Sequence, residues 1–228
     1  VGDIAAAVIS RWANSWHGLE AVANPFNVEF GLMVMFLTIS LGALYMINNI
    51  ADDKLSSKLR RYLLMSFGCF LVMFLIVVFQ LLTLDGYAVD ADGIITMECG
   101  KYLNNFIQMP IVLAIFIVGA LLLVVGVVIS LLKASFKRGI WLAAPGTVLA
   151  VMAIFMIAGY NDTAYYPSSL DIQSSLTLSN SSSSEFTLYT MAIVSLIIPF
   201  VVAYIAYFWR QMDKKSLTSQ ELEETDKY

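Results

Sequence analysis

Five long apolar runs separated by short polar loops constrain this chain more than any other feature. The runs cover residues 27–49, 62–84, 106–132, 139–160 and 187–209. Each is long enough to cross a hydrocarbon core of ~30 Å, which takes ~20 helical residues. With 59% hydrophobic and 13% charged residues, the chain has too much apolar surface for the core of a soluble domain. We therefore predict an all-α, polytopic membrane helix bundle with five transmembrane helices.

The thirteen Lys and Arg residues alternate between the segments that flank these runs. One precedes the first run, and the four loops in order hold four, one, three and none, with four more in the tail. Basic residues next to a span resist translocation, so the richer segments stay in the cytoplasm. The alternation predicts an outer N-terminus and a cytoplasmic C-terminus.

Three segments follow from this pattern: 1–25, 26–210 and 211–228. In the first, Trp12 and Trp16 lie four residues apart, which puts them on one helix face and predicts an amphipathic segment at the membrane interface. The second segment is the five-helix bundle, and the third is a cytoplasmic tail.

We expect Val1 to mark a truncation within a longer protein. The net charge of −4, without a strongly basic segment, argues against nucleic-acid binding.

The span interiors carry no ionisable residue, although pumps and carriers need such groups at membrane depth. Glu29 comes nearest, at the outer end of the first run, and we interpret it as a carboxylate at headgroup level rather than a proton relay. Four amides near outer span ends are expected to satisfy helix termini; they are Gln80, Asn104, Asn105 and Gln108.

Metal and haem ligands are scarce. His17 is the only histidine and lies outside the spans, and the eleven methionines are interpreted as packing residues rather than axial haem ligands. Cys69 falls inside a span and Cys99 in an outer loop, so no disulfide is expected. The sequence predicts no catalytic, cofactor-binding or metal-binding residue in this chain.

The segment that follows the fourth run has an unusual order of short motifs. These are Pro167-Ser168, Ser175-Leu176-Thr177, Ser183-Ser184, Thr187-Leu188 at the start of the last run, and Trp209-Arg210 at its end. Asn24-Pro25-Phe26 before the first run and Asp85-Gly86-Tyr87 after the second belong to the same pattern. In order and spacing, these motifs resemble the C-terminal half of subunit II of cytochrome bd-type ubiquinol oxidases.

The resemblance implies a non-haem fragment of a membrane quinol:oxygen oxidoreductase in the bacterial cytoplasmic (inner) membrane. It further implies that the haems lie in a partner, subunit I, that the N-terminal half of its own subunit is missing, and that quinone or lipid contacts this surface. Proton-path carboxylates of the family belong to the absent half, so none is assigned here. The chain is not expected to be catalytic alone.

Two alternatives from other functional classes stay open on the residues themselves. A transporter or permease fragment would use discontinuous helices around a midplane site, for which the sequence offers only Pro199, which frees the carbonyl of Ser195 and predicts a kink. A non-enzymatic membrane scaffold is the other alternative.

The serine-rich loop, residues 168–186, has two interpretations. It is either a flexible linker or a packed segment in which Leu176 and Leu178 are buried while the Ser175 and Thr177 hydroxyls satisfy backbone groups.

Overall fold

Helices dominate the structure, a computed structural model that describes residues 15–17, 19–90, 92–168 and 171–212. The eight α-helices in this part are α1 (Pro25–Asn49), α2 (Asp53–Thr83), α3 (Lys101–Gln108), α4 (Pro110–Leu132), α5 (Ile140–Gly159), α6 (Leu178–Ser181), α7 (Glu185–Ser195) and α8 (Ile198–Met212). Four short strands accompany them, namely β1 (Gly86–Val89), β2 (Ile95–Glu98), β3 (Ala164–Tyr166) and β4 (Leu176–Thr177).

Five helical segments are long and apolar enough to cross a membrane, and they confirm the predicted fold class. They are α1, α2, α4, α5 and the combined stretch Glu185–Met212. The predicted segment 1–25 lies largely outside the described residues; its described part includes a short 3-10 helix, Leu19–Ala23. Of the predicted tail, residues 213–228 lie outside them as well.

Two helix boundaries differ from the predicted runs for clear physical reasons. The run 106–132 is divided at Met109, because Pro110 opens α4 and the residue before a proline avoids the helical region. Helix α2 begins at Asp53, nine residues before its predicted span, where the Asp52 side chain accepts a hydrogen bond from the Leu55 N–H.

The last span is interrupted near Pro199, where the sequence predicted a kink. Helix α7 ends at Ser195 and α8 begins at Ile198, and the Ser195 hydroxyl donates to the Ala192 carbonyl at 2.6 Å. Proline removes one backbone donor, and in the turn before it the Leu196 and Ile197 N–H groups donate to carbonyls three residues back, those of Ile193 and Val194.

Helices α1 and α2 pack as one hairpin, α4 and α5 as a second, and the two hairpins meet in a shared core. Fully buried Leu44, Ile47, Leu63 and Val127 lie in that core. The hydroxyls of Ser40 and Ser66 join α1 to α2 by a 3.0 Å hydrogen bond. Interhelical hydroxyl bonds of this kind hold helices together where lipid gives no hydrophobic drive.

Glycines let α4 and α5 approach to backbone contact. A Cβ atom on Gly146 would lie 2.6 Å from the Gly119 carbonyl oxygen, and one on Gly126 would lie 2.7 Å from the Gly139 carbonyl oxygen. Such spacing leaves no room for any side chain. Gly42 and Gly68 differ, since a Cβ atom there would meet nothing within 4 Å; they serve no close helix contact in this bundle.

Basic side chains tie the two loops at one end of the bundle, which we call the basic end. The Arg60 guanidinium donates to three carbonyl oxygens of the α4–α5 loop, those of Ala134 at 2.8 Å, Lys133 at 3.4 Å and Phe136 at 3.5 Å. In return, the Lys137 ammonium donates to the Ile50 carbonyl at 3.2 Å. Arg60 of α2 thus satisfies carbonyls of the α4–α5 loop, and Lys137 of that loop satisfies the carbonyl of the residue that follows α1.

Candidate functional site

The other end of the bundle is closed by a polar cap, formed by residues 84–109 and 160–184 without 91, 169 and 170. Strands β1 and β2 form an antiparallel hairpin in which Gly86 faces Glu98 and Val89 faces Ile95. The Asp90 carboxylate accepts from the backbone N–H groups of Asp92 and Ile94 and closes its turn. A bridge between Ala88 and Thr163 joins the hairpin to β3, which pairs with β4.

A buried lysine forms an ion pair with the second strand of the hairpin. The Lys101 ammonium lies 3.0 Å from a Glu98 carboxylate oxygen, and the Asn104 amide donates to the other oxygen at 2.8 Å. Asn104 first, and then Lys101, hold the pKa of Glu98 below its ordinary value of 4.5. The contribution of this pair to stability is fully present above that value and is lost as the pH falls through the lowered pKa.

Asn105 is the centre of the cap. Its amide is fully buried and donates to the Ile157 carbonyl at 2.7 Å and to the Thr163 hydroxyl at 2.9 Å. Its oxygen accepts from the Asn161 amide at 2.8 Å, which also donates to Gln108 at 2.6 Å. Asn105 therefore serves the C-terminus of α5, as expected of an amide at a helix end, while Asn104 and Gln108 contact side chains instead.

The serine-rich loop is packed into this cap. The Ser175 hydroxyl accepts from the Ser168 N–H at 3.0 Å and donates to the Ile172 carbonyl at 2.6 Å. Thr177 begins α6 with a capping box to Asn180. The expected roles of both hydroxyls are confirmed: Ser175 is 0% exposed and Thr177 6%.

The expected burial of the two leucines in this loop is wrong, because Leu176 is 40% and Leu178 43% exposed. Burial alternates from Ser175 to Leu178, and the two hydroxyl residues lie inside, where they satisfy backbone groups of the turn and of the α6 N-terminus.

Sequence reasoning missed the part played by Gln173. Its side-chain amide donates to the Ile95 carbonyl and accepts from the Ile95 N–H, both at 2.9 Å. The side chain thus makes the two backbone hydrogen bonds with β2 that a neighbouring strand would otherwise make. No local pattern marks this residue, because its partner lies 78 positions away.

Glu29 lies at the same end of the bundle as the cap, on the first helical turns of α1. Its carboxylate accepts from the Gln80 amide of α2 at 2.6 Å, so both predicted polar residues meet across one helix pair. The interpretation of Glu29 as a carboxylate at headgroup level rather than a proton relay stays a prediction. The pair joins α1 to α2.

Comparison with known proteins identifies the family of this bundle. The family described as Cytochrome bd terminal oxidase subunit II matches residues 1–212. The chain belongs to this family. Among its curated members, the "Cytochrome bd-I ubiquinol oxidase subunit 2" proteins of Escherichia coli strain K12 and of Escherichia coli O157:H7 are each 25% identical over 217 residues. The aligned region is 88% of this chain and 55% of each relative, so the chain spans about half the length of the curated relatives it matches.

Family membership directs attention to redox ligands. Among the described residues, no three His, Cys, Asp or Glu side chains come together as a metal-binding group. His17, with a φ of 51°, lies before α1 rather than within a span, and both cysteines are free and exposed. The absence of haem ligation by this chain stays a prediction.

An apolar groove of about 500 Å³ runs along α5. Its described lining residues all belong to α5 or follow it directly; they are Thr147, Val148, Val151, Met152, Phe155, Met156 and Tyr160. A surface of this kind accommodates hydrocarbon, but it lacks the convergent polar groups that select one ligand.

Proposed function

We propose that this chain is the C-terminal half of the non-haem subunit of a bacterial inner-membrane quinol:oxygen oxidoreductase of the respiratory chain. In this proposal it supports a haem-bearing subunit I and is not catalytic alone. The observation that carries the proposal is the family match across residues 1–212, which includes the cap as well as the spans. The curated relatives are named as ubiquinol oxidase subunits.

The residue types in the spans support a structural role for this chain within an electron-transfer complex. Their buried polar groups are hydroxyls such as Ser40, Ser66 and Ser130, which bond to neighbouring hydroxyls or to backbone carbonyls. Hydroxyl groups of this kind neither ligate haem nor carry protons across a membrane without ionisable partners. In this proposal the cofactors of the complex belong to subunit I, and this half supplies surface for lipid or quinone.

The last span supports the existence of further protein partners. Every residue of α7 and α8 is exposed, including Phe200, Tyr204 and Phe208. Its large side chains pack against lipid or protein beyond these residues. The relatives are nearly twice as long as the aligned region, so the missing half of the subunit and subunit I are the proposed partners.

Co-purification tests the proposal. The full-length subunit that contains this chain is tagged and produced together with subunit I, and the reduced-minus-oxidised spectrum of the purified material is recorded. We expect stoichiometric haem bands that disappear when subunit I is omitted. A stable, tagged subunit free of haem in the presence of subunit I would contradict it, as would a haem band in the subunit alone that a Met→Leu variant abolishes.

Orientation needs a separate test. We propose that the cap faces outward and the basic end faces the cytoplasm, as the charge alternation predicts. An impermeant thiol reagent added to intact spheroplasts should modify Cys99 but not a cysteine introduced by Lys215→Cys. The reverse labelling would invert the orientation.

A further inference from the structure

Three cations form an exposed stripe at the start of α2. Lys54, Lys58 and Arg61 are spaced four and three residues apart within the helix, so they lie on one face. All three are exposed. None of their side chains forms an ion pair or hydrogen bond with another residue in the described part of the chain, in contrast to Arg60 and Lys137.

A neighbouring face of α2 carries a cation that is bonded to the bundle. Asp53, Ser57 and Arg60 follow each other at the same spacing, one position out of phase with the stripe. Arg60 binds the α4–α5 loop, and the Ser57 hydroxyl donates to the Asp53 carbonyl. The negative charge of Asp53 therefore lies beside the stripe rather than on it.

The depth of the stripe matches the phospholipid headgroups. From Tyr62 to Thr83, α2 is apolar and about 33 Å long at 1.5 Å per residue, close to the ~30 Å of a hydrocarbon core. Arg61 lies at its edge, with Lys58 about 4.5 Å and Lys54 about 10 Å farther out. Flexible lysine side chains bend back over such distances.

The same face continues as an apolar surface inside the membrane. Met65, Cys69 and Val72 extend the stripe at helical spacing, and all three are exposed. A molecule with negative charge at one end and hydrocarbon at the other therefore fits the whole face.

We propose that this face of α2 binds an anionic phospholipid, with its phosphate on Lys54, Lys58 and Arg61 and an acyl chain along Met65, Cys69 and Val72. Each cation near an anionic membrane surface strengthens binding about fivefold, so three together give on the order of a hundredfold preference over a zwitterionic lipid. Salt screens this preference because the cations are exposed.

The test uses the full-length subunit in its complex, purified in neutral detergent. Phosphatidylglycerol or phosphatidylcholine is added, and bound lipids are counted by native mass spectrometry at low and high salt. The variant Lys54→Gln, Lys58→Gln, Arg61→Gln is compared with a control that removes three other exposed cations, Lys133→Gln, Arg138→Gln and Arg210→Gln. Haem absorbance and elution volume establish that both complexes are intact.

We expect the stripe variant to lose the phosphatidylglycerol preference by about tenfold to a hundredfold, while the control and the conservative variant Lys54→Arg, Lys58→Arg keep it. Equal loss in stripe variant and control would overturn the proposal, since it would reduce the effect to overall charge. The proposal would also be overturned if the wild-type complex preferred phosphatidylglycerol only after removal of residues 213–228. The partner of the stripe would then be the C-terminal tail rather than a lipid.

Discussion

At the scale of single residues, Asn105 is the side chain on which the cap depends most. Asn105→Leu keeps the number of side-chain heavy atoms, but it removes the donor to the buried Ile157 carbonyl and leaves the Asn161 amide with Gln108 as its remaining side-chain partner. Each buried unsatisfied group costs about 1–3 kcal/mol, so we expect a clearly lower thermal unfolding temperature of the purified complex. Asn104→Leu is the control, because its amide bonds only the half-exposed Glu98. Equal unfolding temperatures for the two variants would contradict this role.

Cys99 provides a pH-dependent prediction at the same scale. Asp85 raises the pKa of the Cys99 thiol, by its charge first and then by a hydrogen bond. A raised pKa lowers the thiolate fraction near neutral pH, and the thiolate is the reactive form.

We therefore expect slow maleimide labelling of Cys99 near pH 7 that accelerates as the pH rises. Asp85→Asn should shift the rate profile to lower pH, with Asp92→Asn as the matched control. An unchanged profile in Asp85→Asn would remove Asp85 as the cause.

At the scale of elements, the α4–α5 contact predicts a sharp difference between glycines. Gly146→Ala forces a Cβ atom to within 2.6 Å of backbone atoms of Gly119 and Leu123, and overpacking of this kind costs about 1–3 kcal/mol. Gly68→Ala, where nothing lies within 4 Å, should leave stability unchanged. Thermal unfolding of the complex in detergent measures both, and a tolerated Gly146→Ala would show that the helices separate freely.

The serine-rich loop provides the second prediction at this scale. Replacing Ser175-Leu176-Thr177 by Gly-Ser-Gly removes the Ser175 bonds and the Thr177 cap. Loss of a helix cap alone costs about 0.5–2 kcal/mol, so recovery of intact haem-containing complex should fall. Leu176→Ser alone should have little effect because this side chain is 40% exposed. If the triple replacement gave wild-type recovery, the loop would be a linker.

At the scale of the whole molecule, the last span is separable from the rest. Because α7 and α8 bury no residue, truncating the full-length subunit after Ser184 should leave the cap and the four-helix bundle resistant to protease. Assembly with subunit I should drop, since the exposed span is lost. Proteolysis and haem recovery measured in parallel distinguish the two effects. A truncated subunit whose cap is digested would show that the last span stabilises the bundle.

Much of this architecture was accessible from the sequence because lipid imposes simple rules. A span must be long and apolar to satisfy its backbone in hydrocarbon, so five runs sufficed for five spans. The break between α3 and α4 was missed, because the apolar run continues through Pro110, which opens α4. The motifs Pro167-Ser168 and Ser175-Leu176-Thr177 pointed to the correct family before any coordinates.

Tertiary structure alone decided which partners the polar residues bond. The bond from Asn105 to Ile157 joins positions 52 apart, and that from Arg60 to Ala134 joins positions 74 apart; neither is encoded in a local pattern. It also decided that the hydroxyls rather than the leucines of the serine-rich loop face inward. The physical reason is that hydrophobicity and charge act residue by residue against the solvent, whereas hydrogen bonds need a partner in space, and only the folded chain supplies it.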